Sequence, residues 1–495
     1  MSVAMQISHH VDPELEFGEG DGATPKTGLV DFGPYSLRLG EGHRRQLHVA
    51  IVGTPATIRA AKGFLGRMRE GLRSGNDNLA LFPDFPGFET VFRSELRLDI
   101  EGPISQGKLE AAMNLRPVDA FGATDDLWAD AVSRLTERDV RPDLVICAVP
   151  REVRDRVGRI ERSVPRDLLK AARREEARRS AGQGSLFEID QLDSIERAAD
   201  PVAEDLLTRD FRLALKARAM QERMPIQLMT EHAWEDGRSN QDPATRAWNL
   251  GVALFYKAGG IPWRARPRTE ESCFVGVSFH HLRTTHRHIV YSSVAQAFSS
   301  DGEGFALRGE AEPWDARTRN THMSREQAER LFAGVLDAYR DRAGRDPLRL
   351  VVHKTSAYTD EEREGIGRAL STVPRVGLLT LRSGDFRLVR QGSYPPHRGT
   401  ACRLGDARFL FTVGYMPAHL TYPGPHIPVP LEVLGAEDDF DGAVEDLLAL
   451  SKMNWNSAAS FASLPISLSF ARKVGGVMAE IPRNSNPNPS FRFYM

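Results

Sequence analysis

Short apolar runs alternate with amphipathic stretches through the first third of the chain. Residues Gln46–Gly53 (QLHVAIVG) and 143–150 (DLVICAVP) are continuous apolar runs, as in strands that are buried on both faces of a sheet. Residues 57–71 and 126–138 repeat apolar positions at helical spacing, and residues 89–100 have the pattern of a further strand. This alternation of strands and helices predicts a doubly wound α/β domain.

The second half of the chain has a different order of elements. Residues 271–282 and the two runs after them, HIVYSSVAQAF and GFALRGE, predict three consecutive strands. Ser324 with Gln327, and Thr359 with Glu362, have the spacing of capping boxes that open helices. Further predicted strands are LRLVVHKTS, VGLLTLRS, FRLVRQG, TACRL, RFLFTVG and PLEVL, and predicted helices follow at residues 441–452 and 468–479. This order predicts a mixed sheet of the ribonuclease H type.

Three stretches lie outside this pattern. Residues 1–28 are polar, acidic and rich in glycine, so we expect them to be poorly ordered. Residues 151–179 are dense in Arg and Glu and lead into a loop-like sequence, and together these predict an inserted surface segment. The last residues, PNPSFRFYM, carry three aromatic side chains, and we expect such a tail to pack inward.

The composition is that of an ordinary globular protein. Of 495 residues, 41% are hydrophobic and 27% charged, with a net charge of −2, so only a local basic patch could hold a nucleic acid. Three cysteines, Cys147, Cys273 and Cys402, are too few and too scattered for a disulfide framework or a zinc site. Because there is no apolar run of ~18 residues and no secretion signal, we expect a cytoplasmic protein without a membrane partner.

Two basic elements in the middle of the chain are the strongest candidates for a binding site. The first, EDLLTRDFRLALKARAMQERMPIQLM, has four cations at spacings that fit one face of a single helix. These cations are Arg209, Arg212, Lys216 and Arg223. A short loop then presents Gln227. The pattern predicts a cationic helix face next to an amide donor.

The second element, DPATRAWNLGVALFYKAGGIPWR, predicts a helix that ends just after Lys257. Asp242 followed by Pro243 favours a helix start, and the pair Gly259 and Gly260 favours its end. A lysine in the last turn complements the helix dipole. Taken alone, these charges are more typical of a solvated face than of a binding site.

Several segments resemble short prokaryotic Argonaute proteins, which have a MID and a PIWI domain and no PAZ domain. The segments are LKARAMQERMPIQLM, the stretch from YKAGGIPWR to ESCFVGVSF, LVVHKTS, and MNWNSAASFASLPISLSFARKVGG, in the order of the family. The resemblance implies an α/β fold, with a Rossmann-like MID domain followed by a ribonuclease H-like PIWI domain with a mixed sheet. It implies an N-terminal segment plus MID domain at residues 29–268, after the poorly ordered residues 1–28, and a PIWI domain at residues 269–495.

The resemblance also implies a pocket for the 5′-phosphate of a guide strand. The lysine, glutamine and second lysine that grip this phosphate in the family fall on Lys216, Gln227 and Lys257. In the family the phosphate shares a Mg²⁺ ion with the C-terminal carboxylate, a position that falls on Met495. A terminal phosphate is compact and about doubly charged, so ammonium groups and an amide donor suit it.

The catalytic carboxylates of active family members fall on neutral residues in this chain. The first catalytic aspartate falls on Ser278 and a later one on Thr355. No aspartate lies near residues 428–430, where His426 is the closest candidate ligand. Hydroxyl groups are weak neutral ligands for the two Mg²⁺ ions of in-line phosphodiester cleavage, so the resemblance implies a PIWI domain without nuclease activity. Candidates for contacts to a nucleic-acid backbone are Arg212, Arg218, Arg264, Arg283 and Lys354.

These features imply guide-directed recognition of a complementary strand, with a 5′-phosphorylated guide RNA and a target of single-stranded DNA. Short members of the family work with a second chain that joins an APAZ region to an effector, such as a TIR, sirtuin-like or nuclease domain, in defence against plasmids or phage. Two alternatives stay open. One is an active PIWI nuclease with a rearranged metal site, and the other is a sugar- or nucleotide-binding α/β protein whose lysines only cap helices.

Overall fold

The described part of the chain includes two main β-sheets, two short sheets of three and two strands, and the helices around them. The computed structural model describes residues 5–161, 208–237, 241–266, 272–283, 288–297, 304–313, 322–389, 391, 395–419, 421–422, 427–481 and 487–495. Within residues 281–283, 288–297 and 311–313 it describes the strands without their side chains. The predicted inserted segment beyond residue 161 and the candidate ligand His426 lie outside the described residues.

The helices follow the predicted order in both halves. They are α1 (Pro25–Phe32), α2 (Pro55–Glu70), α3 (Phe88–Phe92), α4 (Gln106–Met113), α5 (Pro117–Thr136), α6 (Arg151–Val157), α7 (Phe211–Gln221), α8 (Glu231–Trp234), α9 (Pro243–Lys257), α10 (Arg325–Ala343), α11 (Asp360–Ala369), α12 (Phe440–Ser451) and α13 (Ile466–Glu480). Short 3₁₀ helices lie at Tyr35–Gly42, Pro417–His419 and Phe491–Phe493.

The strands are short in the first half of the chain and longer in the second. They are β1 (Met5–His9), β2 (Leu15–Glu16), β3 (Asp21–Gly22), β4 (Gln46–Gly53), β5 (Glu95–Pro103), β6 (Leu144–Ala148), β7 (Arg159–Glu161), β8 (Thr208–Asp210), β9 (Ile226–Met229), β10 (Arg264–Ala265), β11 (Ser272–Arg283), β12 (His288–Ala297), β13 (Ala306–Pro313), β14 (Arg349–Lys354), β15 (Arg375–Ser383), β16 (Thr400–Leu404), β17 (Ala407–Leu410) and β18 (Leu431–Leu434).

The smaller of the two main sheets is parallel, with strand order β5-β4-β6-β9. All five residues of β6 are buried, as are the last five of β4, which explains their continuous apolar sequences. The strand predicted at Gln46–Gly53 is confirmed at both ends. β9 ends the sheet, and it carries Gln227 beside β6.

The larger sheet has nine strands in the order β1-β16-β17-β18-β15-β14-β11-β12-β13. The pairs β11-β14 and β14-β15 are parallel and the other neighbours are antiparallel, so the predicted mixed sheet is confirmed. The three consecutive strands β11, β12 and β13 form one end of it. The prediction of a strand at FRLVRQG is wrong for residues 386–389, which form none, since both neighbours of β15 are already β14 and β18.

Local signals set the ends of several helices as predicted. Both capping boxes are present: the side chain of Ser324 accepts from Gln327, and that of Thr359 accepts from Glu362. The side chain of Asp242 accepts from two main-chain N–H groups in the first turn of α9.

The prediction of a strand over residues 89–100 is wrong in its first part. Phe88, Val91 and Phe92 lie at helical spacing and are buried on one side of α3, and the strand β5 begins only at Glu95. The apolar residues alternate well enough to resemble a strand, but their burial follows the helical period.

The prediction that residues 1–28 are poorly ordered is wrong for residues 5–28. β1 pairs with β16 at the edge of the large sheet, and β2 pairs with β3 and β10. The segment between them is held by Asp12, whose carboxylate accepts from Arg398 (2.7 Å) and from Lys452 (2.9 Å). Both cations are buried, and Leu15 and Phe17 are buried in the core, so long-range charge pairing and apolar packing together fix this polar, glycine-rich segment.

The two sheets share one hydrophobic core through α13. This helix packs on β11 and β12 of the large sheet and also on α7, next to the small sheet. At Gly276 of β11 a Cβ atom would overlap the main chain of Ser467, and at Gly476 a Cβ would lie 3.3 Å from Leu213 of α7. Glycine at these positions therefore allows α13 to approach its neighbours closely. Among the described residues, no helix is both long and apolar enough to cross a bilayer.

The aromatic tail packs inward as predicted. Phe491, Phe493, Tyr494 and Met495 are all less than a tenth exposed and belong to the shared core. The end of the chain therefore lies beside α7 and α9, two helices that come much earlier in the sequence.

We predict that Asp12→Ala lowers the free energy of unfolding by about 3 kcal/mol, because it leaves Arg398 and Lys452 buried without their carboxylate. Urea unfolding of the purified protein measures this change. Asp21→Ala is the matched control. Asp21 pairs with the exposed Arg266, so its loss costs less than about 1 kcal/mol. Equal effects of the two substitutions would contradict the structural role of the buried charges.

Candidate functional site: a cluster of cations between the two sheets

Lys216 lies on α7 and its ammonium group is directed at the end of the chain. Asp210 caps α7 by accepting from the main-chain N–H groups of Arg212 and Leu213. The Nζ atom of Lys216 donates to the main-chain oxygen of Met495 at 2.5 Å and lies 3.4 Å from that of Tyr494. The side chain is only 6% exposed. Lys216 and Met495, two predicted site residues, are therefore in contact.

The other two predicted residues also meet. Lys257 lies in the last turn of α9, where the chain turns at Gly259 with φ +98°. Its Nζ atom donates to the main-chain oxygen of Ile226 at 2.8 Å and to Oε1 of Gln227 at 2.6 Å. The amide of Gln227 in turn donates to the main-chain oxygen of Leu228. Lys257 is 1% exposed, so its ammonium group has lost nearly all of its water.

Two exposed cations complete this group, and sequence reasoning missed one of them. Arg212 of α7 and Lys473 of α13 are both solvent-exposed, and each interacts electrostatically with Lys257 and Lys216. Lys473 lies in the segment SLSFARKVGG, which carried part of the family resemblance, but nothing in its spacing linked it to residues so much earlier in the chain. We call Lys216, Lys257, Arg212 and Lys473 the cation cluster.

No Asp or Glu side chain of the described residues neutralises the cation cluster. Within the described ranges, no Asp or Glu side chain forms an ion pair with any of its four members. Burial lowers the pKa of Lys257 to about 7, and the nearby charge of Arg212 acts in the same direction. Burial, with the charges of Lys257, Arg212 and Lys473, also lowers the pKa of Lys216 well below its usual range. An anion placed here would restore both ammonium ions, so the arrangement suits a compact, highly charged anion.

The first element is not the single four-cation helix that its spacing predicted. α7 begins only at Phe211, and the chain leaves it before Arg223, which has φ +51°. Arg209 belongs to β8 and forms an ion pair with Glu480 of α13 at 2.9 Å. Arg209 and Arg223 therefore do not share a helix face with Lys216.

Three of the predicted backbone contacts are engaged in the protein itself. Lys354 is fully buried and forms an ion pair with Glu362, so its assignment to a nucleic-acid contact is wrong. Arg218 donates to Asp126 at 2.5 Å and to Asp125 at 3.3 Å, and Arg264 donates to the Tyr35 hydroxyl at 3.1 Å.

Arg264 also lies 3.8 Å from a carboxylate oxygen of Glu16. The side chain of Arg283 lies outside the described residues. Among the predicted backbone contacts with a described side chain, Arg212 alone is exposed and without a carboxylate partner. It is also the one that belongs to the cation cluster.

Ser278 and Thr355, the residues at the predicted catalytic positions, lie on neighbouring strands, Ser278 within β11 and Thr355 directly after β14. Gly276 of β11 pairs with His353 of β14 in parallel register, and each candidate lies two residues further on. Thr355 is exposed and lines a cavity of about 600 Å³. None of the residues that line this cavity is an Asp or Glu. The described residues contain no group of three or more His, Cys, Asp or Glu side chains placed to hold a metal ion.

The residues of the cation cluster do not by themselves fit a Mg²⁺ ion. Mg²⁺ binds hard oxygen ligands, usually including a carboxylate. Here the four side chains are all cationic, and Met495, to which the resemblance assigns the C-terminal carboxylate, already accepts a hydrogen bond from the ammonium group of Lys216 through its main-chain oxygen. The sharing of Mg²⁺ by Met495 stays a prediction, and the binding of an anion by the cation cluster does not depend on it.

Comparison with known proteins supports the fold. No protein-family model and no curated protein sequence matches the chain. Solved structures do match: an Argonaute of Clostridium butyricum bound to a guide DNA and a 19-mer target DNA (14% identity, TM-score 0.61), an Argonaute of A. aeolicus (14%, 0.52) and Drosophila Piwi (12%, 0.56). The matches cover 97%, 97% and 98% of this chain and 54%, 53% and 56% of theirs, so it spans about half their length.

These structural neighbours confirm the predicted fold class. The chain is an α/β protein in which a Rossmann-like domain of the MID type precedes a ribonuclease H-like domain of the PIWI type with a mixed sheet. At 12–14% identity, the likeness establishes the fold and no activity.

We predict that the free energy of unfolding of the wild-type protein, relative to that of the Lys257→Met variant, increases as the pH is raised. The folded pKa of Lys257 is about 7, below the usual 10.5, so between these values the unfolded chain binds a proton that the folded protein does not. Unfolding therefore becomes less favourable as pH rises, by up to about 1 kcal/mol per pH unit. Urea unfolding at pH 7.5, 8.5 and 9.5 (about one-unit steps across this window) measures the difference between the two proteins. If the difference in free energy of unfolding between the two proteins is the same at each pH, the lowered pKa of Lys257 is contradicted.

Proposed function

We propose that this protein holds a guide strand by its 5′-phosphate and uses it to recognise a complementary single strand. The observation that carries the proposal is the cation cluster, in which two buried lysines have no Asp or Glu partner among the described residues. Burial and the neighbouring cations lower the pKa of both lysines, so an anion bound between them would favour their charged forms.

The geometry of the cluster fits a terminal phosphate better than an internal one. A terminal phosphate carries up to two negative charges and has three free oxygen atoms, so several donors can converge on it. Lys216 and Lys257 would contact it from the protein interior, while Arg212 and Lys473 line the exposed approach. Gln227 holds Lys257 in place through a 2.6 Å hydrogen bond.

The fold agrees with this role. One of the structures that the chain resembles is an Argonaute bound to a guide DNA and a target DNA. In such a system base pairing supplies the sequence specificity, and the protein needs only to recognise phosphates and the shape of the duplex. We propose a guide RNA and a single-stranded DNA target, in the cytoplasm, as in the short Argonautes that the sequence resembles.

We further propose that the PIWI-type domain does not cleave. Ser278 and Thr355 occupy the predicted catalytic positions, and the cavity beside Thr355 has no carboxylate among its lining residues. Two divalent ions held side by side need several anionic oxygen ligands. Recognition of a target would then have to be reported through another protein.

For that protein we propose an APAZ-containing effector with a TIR, sirtuin-like or nuclease domain, active in defence against plasmids or phage. This proposal depends on the resemblance to short Argonautes. Co-expression with the product of the adjacent open reading frame tests it. A stable complex with about one partner chain per copy of this protein, as for a permanent interface, supports the proposal. Two chains that elute separately on size-exclusion chromatography contradict it.

We predict that Lys216→Met and Lys257→Met each weaken binding of a 5′-phosphorylated oligonucleotide by about 10- to 100-fold, the value of a charge-assisted hydrogen bond. Methionine retains most of the buried side-chain volume. Affinity for the same strand with a 5′-hydroxyl changes little, so the preference for the phosphate is the quantity to measure. Lys108→Met, an exposed lysine of α4, is the matched control. A wild-type protein without preference for the 5′-phosphate would exclude the proposed pocket.

We also predict that the purified protein, loaded with a guide, leaves a complementary strand intact in the presence of Mg²⁺ or Mn²⁺. The physical reason is the absence of anionic metal ligands among the residues that line the cavity at Thr355. Gel analysis of an end-labelled target measures cleavage. Guide-dependent cleavage that disappears in Thr355→Ala would establish the alternative of an active nuclease with a rearranged metal site.

A further inference from the structure

The cavity beside Thr355 has a charge of its own that the proposed 5′-phosphate pocket does not explain. It has a volume of about 600 Å³ and lies where β14 and β15 end and β18 begins. Its lining residues are Thr355, Leu381, Arg382, Ser383, Val413, Pro428, Val429, Pro430, Leu431, Ser463, Leu464 and Arg472. The charged members are two arginines, and the polar members are hydroxyl groups.

Both arginines are available to a ligand. Arg382 and Arg472 are exposed, and neither has a carboxylate within ion-pair distance in the described part of the chain. Some other exposed arginines of this domain are neutralised, for example Arg330 by Glu310 and Arg403 by Asp441. Two unpaired guanidinium groups that face one cavity favour an anion with several oxygen atoms, and guanidinium geometry suits phosphate in particular.

The position of Arg472 connects this cavity to the cation cluster. Arg472 and Lys473 are consecutive on α13, and consecutive residues of a helix point about 100° apart. α13 thus presents one cation to the cavity and the next one to the cluster. One helix therefore contributes a cation to both places, as a strand that runs from the cluster past the cavity would require.

We propose that Arg382 and Arg472 bind a phosphodiester of the paired guide and target strands in this cavity. The inference rests on the proposed guide-directed function. The two guanidinium groups supply positive charge at the place where metal ions would supply it in a two-metal nuclease, so the backbone is held there without being cut. Thr355 and Ser383 contribute hydroxyl donors, and Leu381 and Leu464 contribute apolar surface to the same cavity.

The test compares guide binding with target binding in Arg382→Gln, Arg472→Gln and the double variant. We expect all three to load a 5′-phosphorylated guide as the wild type does, and the double variant to bind a complementary target about tenfold more weakly at moderate salt. The salt dependence of target binding decreases by roughly 0.7–0.9 for each phosphate that the variant leaves without a cationic partner. Arg375→Gln is the matched control, since Arg375 lies at the opposite end of β15 and is exposed.

A scan with methylphosphonate linkages, which are uncharged, identifies the bound phosphate and its strand. One linkage at a time is replaced in the guide or in the target. In the wild type we expect weakened duplex binding at one or two adjacent linkages of one strand (about as many as two guanidinium groups contact), and no such position in the double variant.

A flat scan in the wild type, or an unchanged salt dependence in the double variant, would overturn the assignment of the cavity while leaving the guide pocket intact. Failure of the wild type to prefer a 5′-phosphorylated guide would overturn both proposals together. The guide-loading measurement thus separates the two.

Discussion

Burying an ammonium ion costs free energy unless an anion or several strong acceptors replace its water. The buried cations of the described chain are Lys216, Arg246, Lys257, Lys354, Arg398 and Lys452. Four of them have a carboxylate within ion-pair distance. Arg246 pairs with Asp236, and Lys354 pairs with Glu362. Arg398 and Lys452 both pair with Asp12. Lys216 and Lys257 have no Asp or Glu side chain within this distance: Lys257 donates to the oxygens of Ile226 and Gln227, and Lys216 donates to the main-chain oxygen of Met495, the last residue of the sequence.

This exception determines how the two halves of the molecule are joined. The lysines come from α7 and α9 beside the small sheet, whereas Met495 and Lys473 come from the segment that packs on the large sheet. α13 can approach α7 because Gly476 has no side chain at the contact. The shared hydrophobic core holds the cations together against their mutual repulsion, and that cost is a property expected of a binding site rather than of a structural contact.

Local rules predicted much of the fold. The buried strand at Gln46–Gly53, the capping boxes at Ser324 and Thr359, and the start of α9 at Asp242 all depend on a few consecutive residues, and the structure confirms them. The inward packing of the tail is confirmed for a similar reason, since burying three closely spaced aromatic side chains away from water is favourable.

Long-range pairing limited the rest of the prediction. The order of residues 5–28 depends on Asp12 meeting Arg398 and Lys452, which lie 386 and 440 positions later, and no local pattern contains that information. In the same way, the sequence around Lys354 is typical of a surface cation, but in the structure this residue is buried and paired with Glu362. Lys473 lies near Lys216 only because of the packing of α13. The family resemblance therefore supplied Lys216, Gln227, Lys257 and Met495 of the candidate site. Lys473 was missed because only the tertiary structure brings it next to them.

The most direct test of a guide-holding protein is the nucleic acid that it carries when purified from its host. Its 5′ ends can be radiolabelled by polynucleotide kinase with and without prior phosphatase treatment, and its length and sequence can be determined. The account predicts short strands that accept label only after phosphatase treatment, and that are absent from a Lys216→Met, Lys257→Met double variant. A protein that carries no short nucleic acid, or strands with 5′-hydroxyl ends that the double variant retains, would contradict it.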